Sequence, residues 1–278
     1  GGVRYDDYSI SVESVGGRGE GVFYNDSDFV NWHLGAVWKP APNASIYASF
    51  GSSSNPSGEQ VDGFGDSYGG ITAATQDLDP ERNKSYEIGA KWNILDEHLA
   101  LTAAIYRTNK TNARVQLTPG PGGAFGLEGE QRVQGIEFGF SGNLTEQWSV
   151  YGGVSLLEAE ITASPDPTQV GAKLPNVAET SFTTLTRYQI TDRFHLGGSA
   201  NYQGERAGGS VADIGTAIPG YWRFDFFGGW RVTDRVELSF NVLNATDKVY
   251  YDAIYRSSTP FVYIAPGRSA LFTIDVDL

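Results

Sequence analysis

The chain has 278 residues, 35 of them Gly, with 13% aromatic and only 19% charged side chains, a length that suits one large all-β domain or two ordinary ones. Its 20 Lys and Arg against 33 Asp and Glu leave a net charge of −13, which disfavours nucleic-acid binding because neutralising phosphates needs clustered cations. The absence of Cys rules out a disulfide scaffold, a zinc ribbon or a thiolate nucleophile; no run of about 18 apolar residues offers a transmembrane helix, and 40% hydrophobic residues argue against disorder.

Alternation with a period of two, rather than a helical period, runs through the chain and predicts strands. Gly1–Ser9 reads as a strand. A long polar link, Ser14–Asp28, leads to the segment that holds Trp32 and Trp38, and a short link at Lys39–Asn43 turns it back. After the long Ser52–Asn83 link, Tyr86, Ile88, Ala90, Trp92 and Ile94 alternate with Ser85, Glu87, Gly89, Lys91 and Asn93. A short link at Leu95–His98 joins this strand to the next, and the long link Gln116–Gln131 follows. Beyond the short link Asn143–Gln147, Trp148, Val150, Gly152, Val154 and Leu156 stand against Ser149, Tyr151, Gly153 and Ser155. The long link Thr162–Val177 and the short Thr191–Arg193 precede Phe194, Leu196, Gly198, Ala200 and Tyr202. The long link Gly204–Gly220 precedes Trp222, Phe224, Phe226, Gly228, Trp230 and Val232. A short link at Thr233–Arg235, the strand Val236, Leu238, Phe240, Val242, and the long link Asp247–Phe261 lead to a last strand with Phe272, Ile274, Val276 and Leu278 on one face.

About twelve strands result, each with one oily and one wet face, joined alternately by short turns and long Gly-, Pro-, Ser- and Asp-rich loops. Loop length segregated by end is the pattern of a transmembrane antiparallel β-barrel; a soluble carbohydrate-binding β-sandwich alternates too, but nothing in it sorts its loops this way. Trp38, Trp92, Trp148 and Trp230 fall on oily faces beside short turns, and Trp32 and Trp222 on oily faces just after long loops. An indole is stable at a membrane interface, where its ring is apolar and its N–H reaches headgroups.

Read in order, GGVRYDDYS (Gly1–Ser9), WHLGAVWKPAPNASIYASFGSSSNPS (Trp32–Ser57), LDPERNKSYEIGAKW (Leu78–Trp92), LALTAAIYRTNKTNAR (Leu99–Arg114), VQGIEFGFSGNLTEQWSVYGG (Val133–Gly153), NVLNATDKVYY (Asn241–Tyr251) and PGRSALFTIDVDL (Pro266–Leu278) resemble the C-terminal half of a TonB-dependent outer-membrane receptor, in particular its ferric-siderophore, catecholate-type branch. The resemblance spans essentially the whole chain. It implies a receptor of about 22 strands with an N-terminal plug inside the barrel, of which residues 1–278 supply the C-terminal portion of the barrel; the plug, the TonB box and the first barrel strands lie outside them. It implies import of a ferric siderophore energised through TonB by that N-terminal part, with outer-membrane lipid, lipopolysaccharide and the barrel-assembly machinery as further partners, in a Gram-negative outer membrane. The final strand of the family usually ends on an aromatic residue; Leu278 stands there instead. The strand is expected to pair with the first barrel strand of the intact receptor.

Nothing in the sequence reads as an enzyme. No GxSxG, HExxH or Walker A sequence occurs. His33, His98 and His195 stand apart, so no metal is expected. Gly17-x-Gly19-x-Gly21 lacks the strand–helix setting of a nucleotide loop, Asp62–Asp66 lacks the remaining EF-hand acids, and Asp6, Asp7, Asp275 and Asp277 read as solvated barrel positions. Ligand recognition is expected from the long loops and upper wet faces, where rings stack on flat groups and Arg pairs with anionic oxygens: Phe64, Tyr68, Arg114, Phe125, Arg132, Tyr250, Tyr251, Tyr255, Arg256, Phe261 and Tyr263. No resident cofactor is expected. The rival reading is an autotransporter-type or passive barrel of about twelve strands, closed by pairing of the last strand with Val3–Val12.

Overall fold

The computed structural model describes residues 1–15, 20–57, 71–73, 75–116, 125–208, 216–255 and 261–277. In chain order the strands are β1 (Gly2–Ser14), β2 (Gly21–Ala41), β3 (Ala44–Asn55), β4 (Glu81–Ile94), β5 (Leu99–Gln116), β6 (Phe125–Thr145), β7 (Trp148–Ala163), β8 (Thr180–Thr191), β9 (Phe194–Gln203), β10 (Arg206–Ala207), β11 (Ala217–Ile218), β12 (Tyr221–Thr233), β13 (Val236–Leu243), β14 (Tyr251–Tyr255), β15 (Phe261–Ile264) and β16 (Ser269–Val276). Twelve of them form one antiparallel sheet in the order β1-β2-β3-β4-β5-β6-β7-β8-β9-β12-β13-β16. The hairpins β10–β11 and β14–β15 belong to the long connections and form separate two-stranded sheets. No helix among the described residues is long and apolar enough to cross a membrane.

The register joins the oily faces of single strands into one surface. Ala44, Trp92, Leu101, Phe140, Gly152, Thr184, Ala200 and Phe224 are successive cross-strand partners from β3 to β12. One residue along each strand, the partners are Ser45, Lys91, Thr102, Gly139, Gly153, Thr183, Asn201 and Arg223. A slip of one residue would exchange the two faces, so this pairing separates an apolar outer wall from a polar inner one. The outer wall keeps Ile88, Ile105, Ile136, Phe226, Phe272 and Ile274 exposed, as lipid contact requires.

Rings gather at both rims of that wall. Trp32 meets Phe50 edge-on at 4.5 Å and Phe50 stacks on Tyr86 at 4.5 Å. Farther round, Trp222 lies 5.0 Å from Tyr202, 5.9 Å from Phe182 and 5.8 Å from Phe224. At the short-turn end, Trp38, Trp92, Trp148 and Trp230 all lie on the outer wall and are exposed, with Trp148 against Tyr188 at 6.5 Å.

About ten tilted residues cross the hydrocarbon, so β2 and β6, at 21 residues each, stand well clear of it. This corrects several expected boundaries. The link placed at Ser14–Asp28 is in fact ladder from Gly21 onward, with Asp7 opposite Asp28 and Ser11 opposite Tyr24, and β6 begins at Phe125 rather than after Gln131. Above the lipid both faces of a strand meet water, so the apolar alternation lapses while the backbone pairing continues. The Gly204–Gly220 and Asp247–Phe261 links, read as plain loop, carry β10–β11 and β14–β15.

The sheet has two open edges: among the described residues β1 pairs only with β2 and β16 only with β13. Phe272, Ile274 and Val276 lie on the outer wall of that last strand, Phe272 at 77% exposure; Leu278 lies outside the described residues.

Candidate functional site

The inner wall and the connections above it hold the chain's organised polar groups. At the long-loop end of β3, β4 and β5, beyond the Tyr86 rim, Glu81 accepts from Lys110 Nζ at 2.8 Å, from the Arg114 backbone N–H at 2.9 Å and from Asn55 Nδ2 at 3.3 Å. The Arg114 guanidinium donates to Ser57 Oγ at 3.0 Å, and Ser57 in turn donates to the Leu78 carbonyl at 3.3 Å. Asn25 on β2 donates to the carbonyls of Gln76 and Leu78. Ser57 and Thr75 are fully covered, so the last part of the β3–β4 connection is pinned inward over the mouth. Burial by itself would raise the Glu81 carboxyl; the hydrogen bonds from Lys110 and Arg114 outweigh it and hold the group below the ordinary glutamate value.

A second cluster lies at the same end of β9, β12 and β13. Asp225 is only 7% exposed. It accepts from Ser199 Oγ at 2.9 Å, from Arg223 Nη2 at 3.0 Å and from the Asn244 backbone N–H at 2.8 Å. Asn244 has a left-handed φ of 48°, tolerated by its short polar side chain. That side chain donates to the carbonyls of Lys248 and Pro266 and accepts the Lys248 N–H at 2.9 Å, fixing where the chain leaves β13. Tyr250 then comes back over the wall: its ring lies 4.2 Å from that of Tyr221, near the Arg223 guanidinium. Burial pushes the Tyr221 phenol above its ordinary value, despite nearby Arg206, so it is a neutral ring at physiological pH.

The connections above this cluster lock together. Arg206 donates to the carbonyls of Asp252 and Tyr251 at 2.5 and 2.6 Å. Asn176, from the β7–β8 connection, donates to the Ile254 carbonyl at 2.6 Å and accepts its N–H at 3.0 Å, doing with a side chain what a neighbouring strand would do with its backbone. The chemistry available here is recognition: aromatic planes and guanidinium groups held at the mouth of a polar wall.

The candidates read from sequence divide accordingly. Arg114 joins the Glu81 cluster; Tyr250 and Tyr251 join the Arg206–Arg223 cluster. Phe261 and Tyr263 meet edge-on at 5.6 Å on β15 and are exposed. Arg132 shares the row of Ile136 and Phe138 on the outer face and is ion-paired with Glu160. Phe125 begins β6 and Tyr255 ends β14, their side chains outside the described set, as are Phe64, Tyr68, Arg256, Gly17, Gly19 and Asp62–Asp66. The structure also brings Glu81, Arg206, Arg223, Asp225, Asn244 and Asn176 into these clusters, none of which was singled out from the sequence. One signal was legible: in RFDFF (Arg223–Phe227) a carboxylate and an Arg interrupt the aromatic strand on its wet face.

The histidines stay apart. His98 Nδ1 lies 2.8 Å from the Leu95 carbonyl inside a turn, and His195 lines a cavity of about 300 Å³ near the opposite, short-turn end with Arg187, Arg231 and Glu237. Among the described residues no three His, Asp or Glu are placed to hold a metal.

Residues 1–245 match the family model described as TonB dependent receptor-like, beta-barrel. The chain is 33% identical over 286 residues to a probable TonB-dependent siderophore receptor, PiuA, of Acinetobacter baumannii, covering 99% of this chain and 37% of that protein. It is 30% identical to the catecholate siderophore receptor Fiu of Escherichia coli K12, covering all of this chain and 39% of that one. The crystal structure of PiuA superposes with a TM-score of 0.89 at 31% identity over 99% of this chain and 40% of its own. The closed form of Fiu superposes at 0.82 with 30% identity over 99% of this chain and 41% of its own. The chain thus spans under half the length of the relatives it matches.

Proposed function

This chain belongs to the TonB-dependent receptor family, as part of its outer-membrane β-barrel, and on that premise we propose that it forms the C-terminal barrel wall and extracellular mouth of a receptor that imports a ferric siderophore, of catecholate type, energised through TonB. The supporting observation is the Tyr221–Tyr250 ring pair, 4.2 Å apart, on the polar wall that carries Arg223. Ferric catecholates are anionic and aromatic; tyrosine rings take their flat faces and guanidinium groups their oxygens. The net charge of −13 repels such a ligand at long range, so the local cations Arg206, Arg223 and Arg114 carry the attraction, with bulk repulsion screened beyond about 8–10 Å. In this reading the transported complex is cargo and the barrel performs no bond chemistry. The remainder of the protein supplies the plug, the contact with TonB and the barrel strands that close β1 and β16, and the exposed outer wall is seated by the barrel-assembly machinery in lipid and lipopolysaccharide.

The test is binding by the full-length receptor, followed by fluorescence quenching with catecholate, hydroxamate and citrate-type ferric complexes, and with cobalamin and maltodextrin as controls. Ferric catecholate should bind, and Tyr250→Ala with Arg223→Ala should weaken it at least tenfold with assembly intact. Binding of cobalamin or glycan with indifference to every iron complex would refute the siderophore assignment.

A further inference from the structure

At the short-turn end of the inner wall, opposite the mouth, Arg187 on β8, His195 on β9 and Arg231 on β12 line the cavity of about 300 Å³ together with Gln189, Asp192 and Glu237. Arg187 and Arg231 are exposed and make no ion pair among the described residues, although Arg231 and Glu237 are direct cross-strand partners. Arg193, at the cavity's edge, is taken by Asp234 at 3.7 Å. The Arg187 guanidinium donates to Gln189 Oε1 at 2.9 Å, which holds it along the wall. Gly229 lets the His195 ring lie flat beside it, since an added Cβ there would collide with the ring. In a chain of net charge −13, two guanidinium groups without a carboxylate partner face the lumen side by side.

Arg223 at the mouth and Arg231 at this cavity share the inner face of β12, about 26 Å apart at 3.3 Å per residue. Below the Arg223–Asp225 pair, the wall between them carries Gly197, Ser199, Phe227, Gly229, Ser239 and Asn241, and no charged side chain. The inner wall of β4 to β6, below the Glu81 cluster, is different. There Glu87 accepts from the Tyr47 hydroxyl and Glu137 from Ser155 Oγ, with Lys91 held over the Tyr47 ring at 5.7 Å. A travelling anion is opposed by carboxylates in that sector, and meets cations at both ends of a neutral lane in the other. We infer that β8, β9, β12 and β13 form the lane that an anionic cargo follows between wall and plug, and that the Arg187–His195–Arg231 cavity is its last station before the periplasm. The inference rests on the ferric-siderophore reading and adds a route to it. Exposed guanidinium groups suit a station, because they attract oxyanions yet hold them weakly enough in water to let them go; Glu237 and Asp192 limit that hold further.

The experiment uses cells that carry the full-length receptor and an intact TonB system. Binding and uptake of a radio-iron tris-catecholate complex are measured separately, and uptake is expressed per complex bound. Arg187→Ala with Arg231→Ala should lower uptake at least about fivefold, the most that an exposed ion pair is worth, with affinity at the mouth unchanged. Arg187→Lys with Arg231→Lys keeps both charges and should keep most of the uptake. Glu237→Gln removes a like charge and should import no more slowly than the parent. These positions face water, so heat-modifiable migration should be unchanged, and so should passive leak, read as sensitivity of the cells to vancomycin. Parental uptake per bound complex in the double Ala variant, an equal loss in the double Lys variant, or a rise in vancomycin sensitivity would each overturn the proposal; the last would mean that the guanidinium groups hold a plug carboxylate instead. A parent that binds no ferric complex sinks the siderophore reading and the lane with it, whereas a parent that binds and imports beside an unaffected double Ala variant sinks the lane alone.

Discussion

Replacing Asp225 with Ala should release the connection that follows β13. The carboxylate is 7% exposed and holds three donors: Ser199, Arg223 and the buried Asn244 N–H. Leaving the Asn244 N–H without an acceptor costs about 1–3 kcal/mol. Loss of the Ser199 bond costs about 1 kcal/mol. The Arg223 guanidinium is about a third exposed, so losing its partner adds only about 0.5 kcal/mol. Local opening of residues 241–250 should become easier by about 3 kcal/mol, which is about 100-fold in amide exchange. Asp225→Asn keeps an oxygen for the Asn244 N–H and should cost only about 1 kcal/mol, about fivefold. Hydrogen exchange read by mass spectrometry on the full-length receptor measures both, with heat-modifiable migration confirming that the barrel has assembled. Exchange in 241–250 within twofold of the parent for Asp225→Ala would refute the reasoning, as would Asp225→Asn matching Asp225→Ala, since the acceptor would then not be what pins Asn244.

The Glu81 carboxyl is held below its ordinary value by Lys110 and Arg114 against the pull of burial. A depressed folded pKa contributes stability that is present at neutral pH and lost as pH falls through the folded value; protection of residues 75–81 from exchange should therefore drop on acidification below the usual glutamate range in the parent and show no such step in Glu81→Gln. At Gly142, φ is +143° and an added Cβ would run into the His98 carbonyl, so Gly142→Val should reduce the amount of assembled, heat-modifiable receptor severalfold, whereas Ser141→Ala on the same strand should not. Each unpaired backbone group in hydrocarbon costs several kcal/mol, so residues 1–278 refolded by themselves should give heterogeneous, protease-sensitive material; a monodisperse barrel with β16 paired to β1 would show that the two edges can satisfy each other.

Much of the membrane face was legible from residue order because lipid imposes a one-dimensional rule. Every second residue of each crossing strand must be apolar, and Trp is favoured at the rims, so the period of two, the short turns at Leu95–His98 and Thr191–Arg193, and the indoles at Trp38 and Trp92 could be read without coordinates. The same rule explains where reading stopped. Above the lipid no alternation is required, so the Gly21–Asp28 ladder and the β14–β15 hairpin looked like loop. Which face Arg132 takes depended on its register with Glu160, and which residues meet at the mouth depended on connections distant in sequence: Asn176 reaches Ile254, Arg114 reaches Ser57, Tyr250 covers Tyr221. Those contacts bring together side chains tens of residues apart, and a local pattern carries no trace of them; they exist only once the sheet has set the strands side by side and the connections have folded back across its rim.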